Sequence, residues 1–138
     1  MKLRVYYEDT DAGGIVYHAN YIKFCERARS DLFFTAGRKF FLPSSHFVVS
    51  SLEAKFIKPS VLGDLLEIKT SVLEIKKASL VLRQEIFRIG DINGETKPES
   101  VFAMNVTLAF LKDGKPQRLS EELLSFISSS MSLTGENL

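Results

Sequence analysis

The stretch Asn20-Tyr21-Ile22-Lys23-Phe24-Cys25-Glu26-Arg27-Ala28-Arg29-Ser30-Asp31-Leu32-Phe33-Phe34-Thr35-Ala36-Gly37 decides the fold. Tyr21, Phe24, Cys25, Ala28, Leu32 and Ala36 recur at spacings that a helix of 3.6 residues per turn gathers on one face, while Lys23, Glu26, Arg27 and Asp31 fall elsewhere. The pattern predicts one long amphipathic helix from about Asn20, capped by Gly37 with Arg38 and Lys39 following. Outward from it the period changes to two. Residues 2–7 alternate loosely and read as a short strand. Beyond Pro43, Val48, Ser50, Leu52, Ala54 and Phe56 form one face of a strand that Pro59 stops. Leu65–Ile75 and Ser79–Ile89 are two more. Asp91-Ile92-Asn93-Gly94 carries an Asn-Gly turn signal, and the connection from Asp91 to Ser100 reads as a long turn. In the last strand, Val101–Leu111, bulky Phe102, Met104, Val106, Leu108 and Phe110 alternate with small Ala103, Asn105, Thr107 and Ala109. After the turn Lys112-Asp113-Gly114-Lys115, Ser120 is placed to cap a closing helix. Glu121 and Glu122 suit its positive end, and Leu119 with Leu124 forms a hydrophobic staple.

Strand, long helix and a meander of four strands make an α+β chain. The short turns require antiparallel pairing. The simplest arrangement is a curved antiparallel sheet of about five strands wrapped around one long central helix, with a short C-terminal helix. Residues 1–128 are expected to form a single domain and 129–138 a flexible, Ser-rich tail. Open sheet edges need covering, so edge-to-edge dimerisation is expected. At 138 residues and 45% hydrophobic content the chain buries a core without disulfides or a structural metal. Eighteen basic and seventeen acidic side chains leave +1, with no global basic field to recruit nucleic acid or an anionic membrane. Cys25 alone makes neither an internal disulfide nor a Cys-rich zinc site. The first residues lack a signal-peptide pattern and no apolar run reaches membrane-spanning length, so a soluble, cytoplasmic protein without a transmembrane segment is expected.

Chemistry concentrates in Tyr7-Glu8-Asp9-Thr10-Asp11-Ala12-Gly13-Gly14-Ile15-Val16-Tyr17-His18-Ala19-Asn20-Tyr21, between the first strand and the main helix. A helix N-terminus presents unpaired N–H groups and partial positive charge, which stabilise a carboxylate or a developing oxyanion. The Gly13-Gly14 pair lets the chain fold back, bringing Asp11 beside the first helical turn and N–H donors from the Tyr17–His18 region. The plainer alternative is that such a loop is only a turn and cap, with His18 structural and Tyr17 and Tyr21 lining or core residues. His18 and His46 lie far apart in sequence, and Asp9 with Asp11 is too little for a calcium loop, so no metal is expected.

Residues 7–21, followed by Glu26-Arg27-Ala28-Arg29, closely resemble the signature of the 4-hydroxybenzoyl-CoA thioesterase class of hotdog-fold proteins, nearest to its Tol–Pal-associated acyl-CoA thioesterase branch. Phe56-Ile57-Lys58-Pro59 with Leu62-Gly63-Asp64-Leu65-Leu66-Glu67-Ile68, and Met104–Phe110 leading into Pro116, match more weakly. The resemblance implies a hotdog fold and metal-independent hydrolysis of an acyl-CoA, of short or otherwise small acyl group, to free acid and coenzyme A. Coenzyme A is then part of the substrate and no cofactor is needed. It further implies that Asp11 is the catalytic carboxylate, as nucleophile or general base, that the His18 backbone N–H polarises the thioester carbonyl, and that the side chains of His18 and Tyr7 take part. Gly14, Val16, Tyr17 and Lys58 are the expected substrate contacts. Lys76, Lys77, Arg83 and Arg118 are further candidates for the coenzyme phosphates, and Phe33-Phe34 and Phe40-Phe41 for an acyl pocket, a subunit contact or the core. A homodimer or homotetramer with active sites at the dimer interface is implied, with an acyl carrier protein as a further partner. Where relatives often carry Ala-Arg after Lys58-Pro59, this chain has Ser60-Val61. The competing readings are a hotdog dehydratase and a non-catalytic acyl-thioester or protein-binding module.

Overall fold

The computed structural model describes residues 1–36 and 44–133. In chain order it has β1 (Lys2–Arg4), a 3₁₀ turn (Tyr7–Asp9), α1 (His18–Ala36), β2 (Ser45–Phe56), β3 (Leu65–Ile75), β4 (Ser79–Asp91), β5 (Gly94–Lys112), β6 (Lys115–Pro116), α2 (Glu121–Ser130) and β7 (Ser132–Leu133). Among the described residues the sheet runs β1-β3-β4-β5-β2, with β6 paired to β5 and β7 to β3. β1 is antiparallel to β3, Lys2 opposite Glu67 and Arg4 opposite Leu65. The short connections make β3–β4 and β4–β5 antiparallel hairpins. Five strands lie on the main path as expected, but the four-strand meander is a correction: only β3-β4-β5 are successive neighbours, and β2 crosses over to pair with β5 instead of β3.

Several boundaries differ from expectation, each for a local reason. The first strand ends at Arg4 because the Asp9 carboxylate accepts the Tyr6 N–H (2.9 Å) and curls the chain into the 3₁₀ turn. The long helix begins at His18, two residues early, because the Tyr17 carbonyl already accepts the Asn20 N–H (2.8 Å). The expected long turn after Asp91 is a correction: Ile92-Asn93 alone makes the hairpin loop, with the Asn93 N–H on Asp91 Oδ1 (2.8 Å), and strand β5 starts at Gly94. Charged residues and Pro98 hide the alternation over 94–100, where most positions are exposed or half-buried. Regular structure also continues past Ser128, through α2 to Ser130 and into β7, which pairs in parallel with β3 at Ser71 and Val72. Gly37, Phe40 and Phe41, and residues 134–138 of the expected tail, lie outside the described residues. Ser120 caps α2 as expected, accepting the Leu123 N–H (3.1 Å).

The chain divides into two compact units through which the helix and long strands run. The first comprises Met1–Arg29, Ala54–Lys69 and Gln84–Met104. Its core is Val5, Val16, Tyr21, Phe24, Cys25, Leu66, Ile68, Ile86, Val101 and Phe102, with the Tyr21 and Phe102 rings stacked at 5.2 Å. The second comprises Ser30–Glu53, Thr70–Arg83 and Asn105–Leu138. There Phe33 meets Phe47 and Phe126 (5.7 and 5.3 Å between centroids), and Leu80, Leu82, Val106, Leu108, Leu123 and Ile127 are buried. Phe33 is therefore core, while Phe34 is exposed. Ile86 has no exposed surface. Ile86→Ala is expected to cost about 2–5 kcal/mol, read as a lower denaturant midpoint at unchanged slope.

Candidate active site

The site is a loop closed on itself at the start of α1. Thr10 and Val16 form an antiparallel bridge, and the Asp11 N–H donates to the Ile15 carbonyl (2.9 Å). Between them the Gly14 N–H returns to the Asp11 carbonyl (3.0 Å), and Gly14 takes a φ of +82°, a conformation that side chains resist. The loop is anchored twice. The Val16 N–H donates to the Ser60 carbonyl (2.9 Å), and Ile15 bridges Val61. The Asp9 carbonyl accepts both the Tyr17 N–H and Asn20 Nδ2, each at 2.9 Å.

These bonds give the two aspartates different fates. Asp9 is engaged through its carbonyl and through Oδ2. Asp11 is exposed; Oδ1 accepts the Gly13 N–H (2.8 Å), while Oδ2 has no partner among the described residues. A Cβ on Gly13 would come within 3.1 Å of Asp11 Oδ1, so glycine keeps that turn open. At the helix start the Tyr17 and Asn20 N–H groups are used. Those of His18 and Ala19 have no acceptor among the described residues, leaving two donors at the positive end of a 19-residue helix.

The remaining expected residues fall around this loop in different ways. His18 is exposed; its ring lies 4.5 Å from that of half-exposed Tyr17 and edge-on to Phe56 at 6.1 Å. Tyr7 opens the 3₁₀ turn at 81% exposure. Its carbonyl accepts both Thr10 donors, but no hydrogen bond joins its ring to Asp11. Val16 is buried with its N–H spent on Ser60, so it holds the loop from behind. Sequence reasoning missed Asn20 and Ser60 as the groups that pin the loop, and Tyr21 beyond its packing. The Tyr21 hydroxyl accepts the Ser60 N–H (3.1 Å), and this local pairing across 39 positions leaves no periodic signal. Among the described residues no cluster of three or more His, Cys, Asp or Glu side chains is arranged to hold a metal ion.

A closed loop feeding a helix whose first amides are unpaired sets an exposed carboxylate near donors that can hold negative charge. Residues 13–95 match the family described as the Thioesterase superfamily. The acyl-CoA thioesterase YbgC of Helicobacter pylori strain J99 is 43% identical over 136 residues, covering 92% of this chain and 100% of that protein. The chain belongs to the thioesterase superfamily. Among solved structures it is similar to a probable thioesterase from Bartonella henselae, with TM-score 0.70 and 33% identity over 87% of this chain and 96% of that one. It also superposes on a 4-hydroxybenzoyl-CoA thioesterase variant complexed with 4-hydroxybenzoyl-CoA, with TM-score 0.80 and 21% identity over 93% and 96% of the two chains. The fold is thus the expected α+β hotdog fold. No helix among the described residues is long and apolar enough to cross a membrane.

In this thioesterase Lys58 is not idle. It is ion-paired to Glu99, which also receives Arg88 Nη2 at 2.7 Å. Of the other cationic candidates, Arg83 donates to Asn105 Oδ1 (3.1 Å), and Lys77 offers its carbonyl to the Leu119 N–H (2.9 Å). The Cys25 thiol is pushed up to about 12 by burial, which makes it inert. Hydrogen bonds from Arg88 and then Lys58 hold the Glu99 carboxyl down to about 2. A depressed carboxyl pKa stabilises the fold above the ordinary value and loses that contribution as pH falls through the folded one. The Lys58–Glu99–Arg88 link is therefore expected to persist at pH 4 and dissolve towards about pH 2. A carboxyl-carbon NMR titration checks this, and Arg88→Met should move the Glu99 midpoint upward.

Proposed function

We propose that this chain hydrolyses the thioester of an acyl-CoA, with Asp11 as the reacting carboxylate and the His18 and Ala19 amides holding the oxyanion. The carrying observation is the pairing of an exposed Asp11, one carboxylate oxygen uncommitted, with two unpaired N–H groups at the start of α1. Identity of 43% over nearly the whole length of an acyl-CoA thioesterase supports the same chemistry.

The steps balance without a cofactor. With Asp11 as base, Oδ2 takes a proton from water, and the oxygen adds to the carbonyl carbon. The carbonyl oxygen then carries negative charge, held by the two amides. As it re-forms the C=O bond, the C–S bond breaks and coenzyme A leaves as thiolate. With Asp11 as nucleophile, a mixed anhydride forms first and water cleaves it, giving the same products. His18, at the same helix end, presents an imidazole whose ring nitrogens can hydrogen-bond the attacking water or the leaving group. Tyr17 and Phe56 flank it, walling one side of the reacting centre with aromatic surface. Tyr7 and Gly14 belong to the same loop and complete its approach. Lys58 reaches coenzyme phosphate by giving up Glu99 for it.

The protein acts as a homodimer in this reading. β2 ends the strand path among the described residues, so its outer backbone edge is open for pairing with a second copy. Sedimentation at micromolar concentration should give a dimer or a multiple of it; a monomer refutes this assembly. Asp11→Asn should keep the fold, because the amide oxygen still accepts from Gly13. It should lose thiol release from acyl-CoA by a factor of about 10² or more, the scale of removing one group that acts directly on the transition state. Near-wild-type turnover of the purified variant would remove Asp11 from the chemistry.

A further inference from the structure

Arg29 is a buried cation that the hydrolysis mechanism leaves unused. It is 8% exposed, and its one hydrogen-bond acceptor among the described residues is neutral: Nη1 donates to Gln84 Oε1 at 2.7 Å. Gln84 is itself fully buried and donates through Nε2 to the Cys25 carbonyl (2.9 Å). Among the described residues no carboxylate is hydrogen-bonded to the guanidinium. Exposed Glu26 acts on it only through its field, as does the Cys25 thiol, and burial pulls Arg29 below the ordinary arginine range. Buried charges are normally paired, because desolvating an unpaired ion costs several kcal/mol. A guanidinium has five N–H donors. The buried side-chain atoms left without a partner among the described residues are Ser60 Oγ and Thr96 Oγ1, so the other nitrogens of Arg29 keep an opening outward.

The position of this cation along α1 indicates what fills the opening. At 100° per residue, His18, Ile22, Cys25 and Arg29 fall within about 60° of one another on the helix. Their stripe is polar and catalytic at the N-terminal end, apolar in the middle and cationic at the far end. Arg29 lies eleven residues beyond His18, roughly 16 Å along the axis, and helical side chains lean back towards the N-terminus, which shortens the gap. A thioester carbonyl on the His18 and Ala19 amides would run its acyl chain past Ile22 towards the guanidinium.

We propose that Arg29, held by Gln84, reads a carboxylate at the distal end of the acyl group, so that the substrate class is ω-carboxyacyl-CoA. This inference rests on the thioesterase reading above and adds a specificity to it. The anion makes the paired, planar contact that guanidinium favours and supplies the charge the buried site lacks. Gln84 sets the fork orientation from below and leaves the outer donors to the ligand.

The test compares kcat/KM, by thiol release, for ω-carboxyacyl-CoAs of roughly six to ten carbons with that for the unsubstituted acyl-CoAs of equal length. The wild type should favour the carboxylated series by about tenfold or more at its best length, the scale of one charge-assisted contact. Gln84→Glu supplies the missing anion from within and should collapse that ratio towards one. Arg29→Gln should do the same by removing the cation without altering Gln84. A purely structural role would lower both series together and leave the ratio unchanged in the variants. A ratio near one in the wild type, as a carboxylate from a second copy on Arg29 would also give, overturns the inference alone. So does a ratio that survives both substitutions. No thiol release from any acyl-CoA overturns the thioesterase reading and this inference with it.

Discussion

The Asp9 carbonyl accepts two hydrogen bonds, from the Tyr17 N–H and from Asn20 Nδ2, and the site depends on that double acceptance. A carbonyl has two lone pairs, so one backbone oxygen can tie the outgoing loop to the returning helix. With Tyr17 held there and Asn20 turned onto the Tyr17 carbonyl, the helix must begin at His18. The amides of His18 and Ala19 are then the ones left over. Each such bond is worth about 1 kcal/mol net, which is modest against a whole fold. Its larger effect is geometric, because a shift of the helix start by two residues would present different amides and a different side chain to the substrate.

The local charges act in the same selective way. The whole chain is nearly neutral, so no long-range field gathers substrate. What remains is a set of short pairings: Lys58 with Glu99, Glu99 with Arg88, and Arg88 near Asp91 at 3.9 Å. Partly exposed pairs of this kind contribute little to stability. They do decide where each cation spends its time. Lys58, two residues before the loop anchor Ser60, is neutralised by Glu99, and Glu99 is held from its other side by Arg88.

The fold was largely legible because its signals are periodic. The helix stripe from Tyr21 to Ala28 and the alternation from Phe102 to Phe110 are burial written into the order of residues and are buried where expected, whereas further along the stripe Leu32 is half-buried and Phe33 takes the core place. The failures came where periodicity is absent. Residues 94–100 form a strand whose exposed positions are polar, so alternation disappears although the backbone ladder continues. The helix start was misplaced because a side chain and a carbonyl eleven residues apart fix it. Of the site, the loop and its carboxylates were legible as residue types. The anchors at Ser60 and Tyr21 were not, since a hydroxyl accepting a backbone N–H across 39 positions has no signature in either segment. Arg29 was missed for a related reason: a charged residue on the edge of an apolar stripe reads as solvated until its burial against Gln84 is seen.

The sharpest distinction the structure adds is between two chemically identical groups. Asp9 and Asp11 stand two residues apart, and composition gives no ground for choosing. In an extended strand that spacing would put both on one face. Here the 3₁₀ turn ends at Asp9 and the bridge between Thr10 and Val16 begins beside it, so the two side chains enter different local structures. Asp9 Oδ2 closes the turn on the Tyr6 N–H, and removing it would release the strand end, while the Asp9 carbonyl separately anchors the helix. The Asp11 carboxylate makes a single bond within its own loop, to a glycine whose absence of Cβ leaves the approach clear. One carboxylate is committed to holding the backbone. The other keeps an oxygen that can meet an electrophile, and only that one can change its bonding during a reaction without unfolding the loop that presents it.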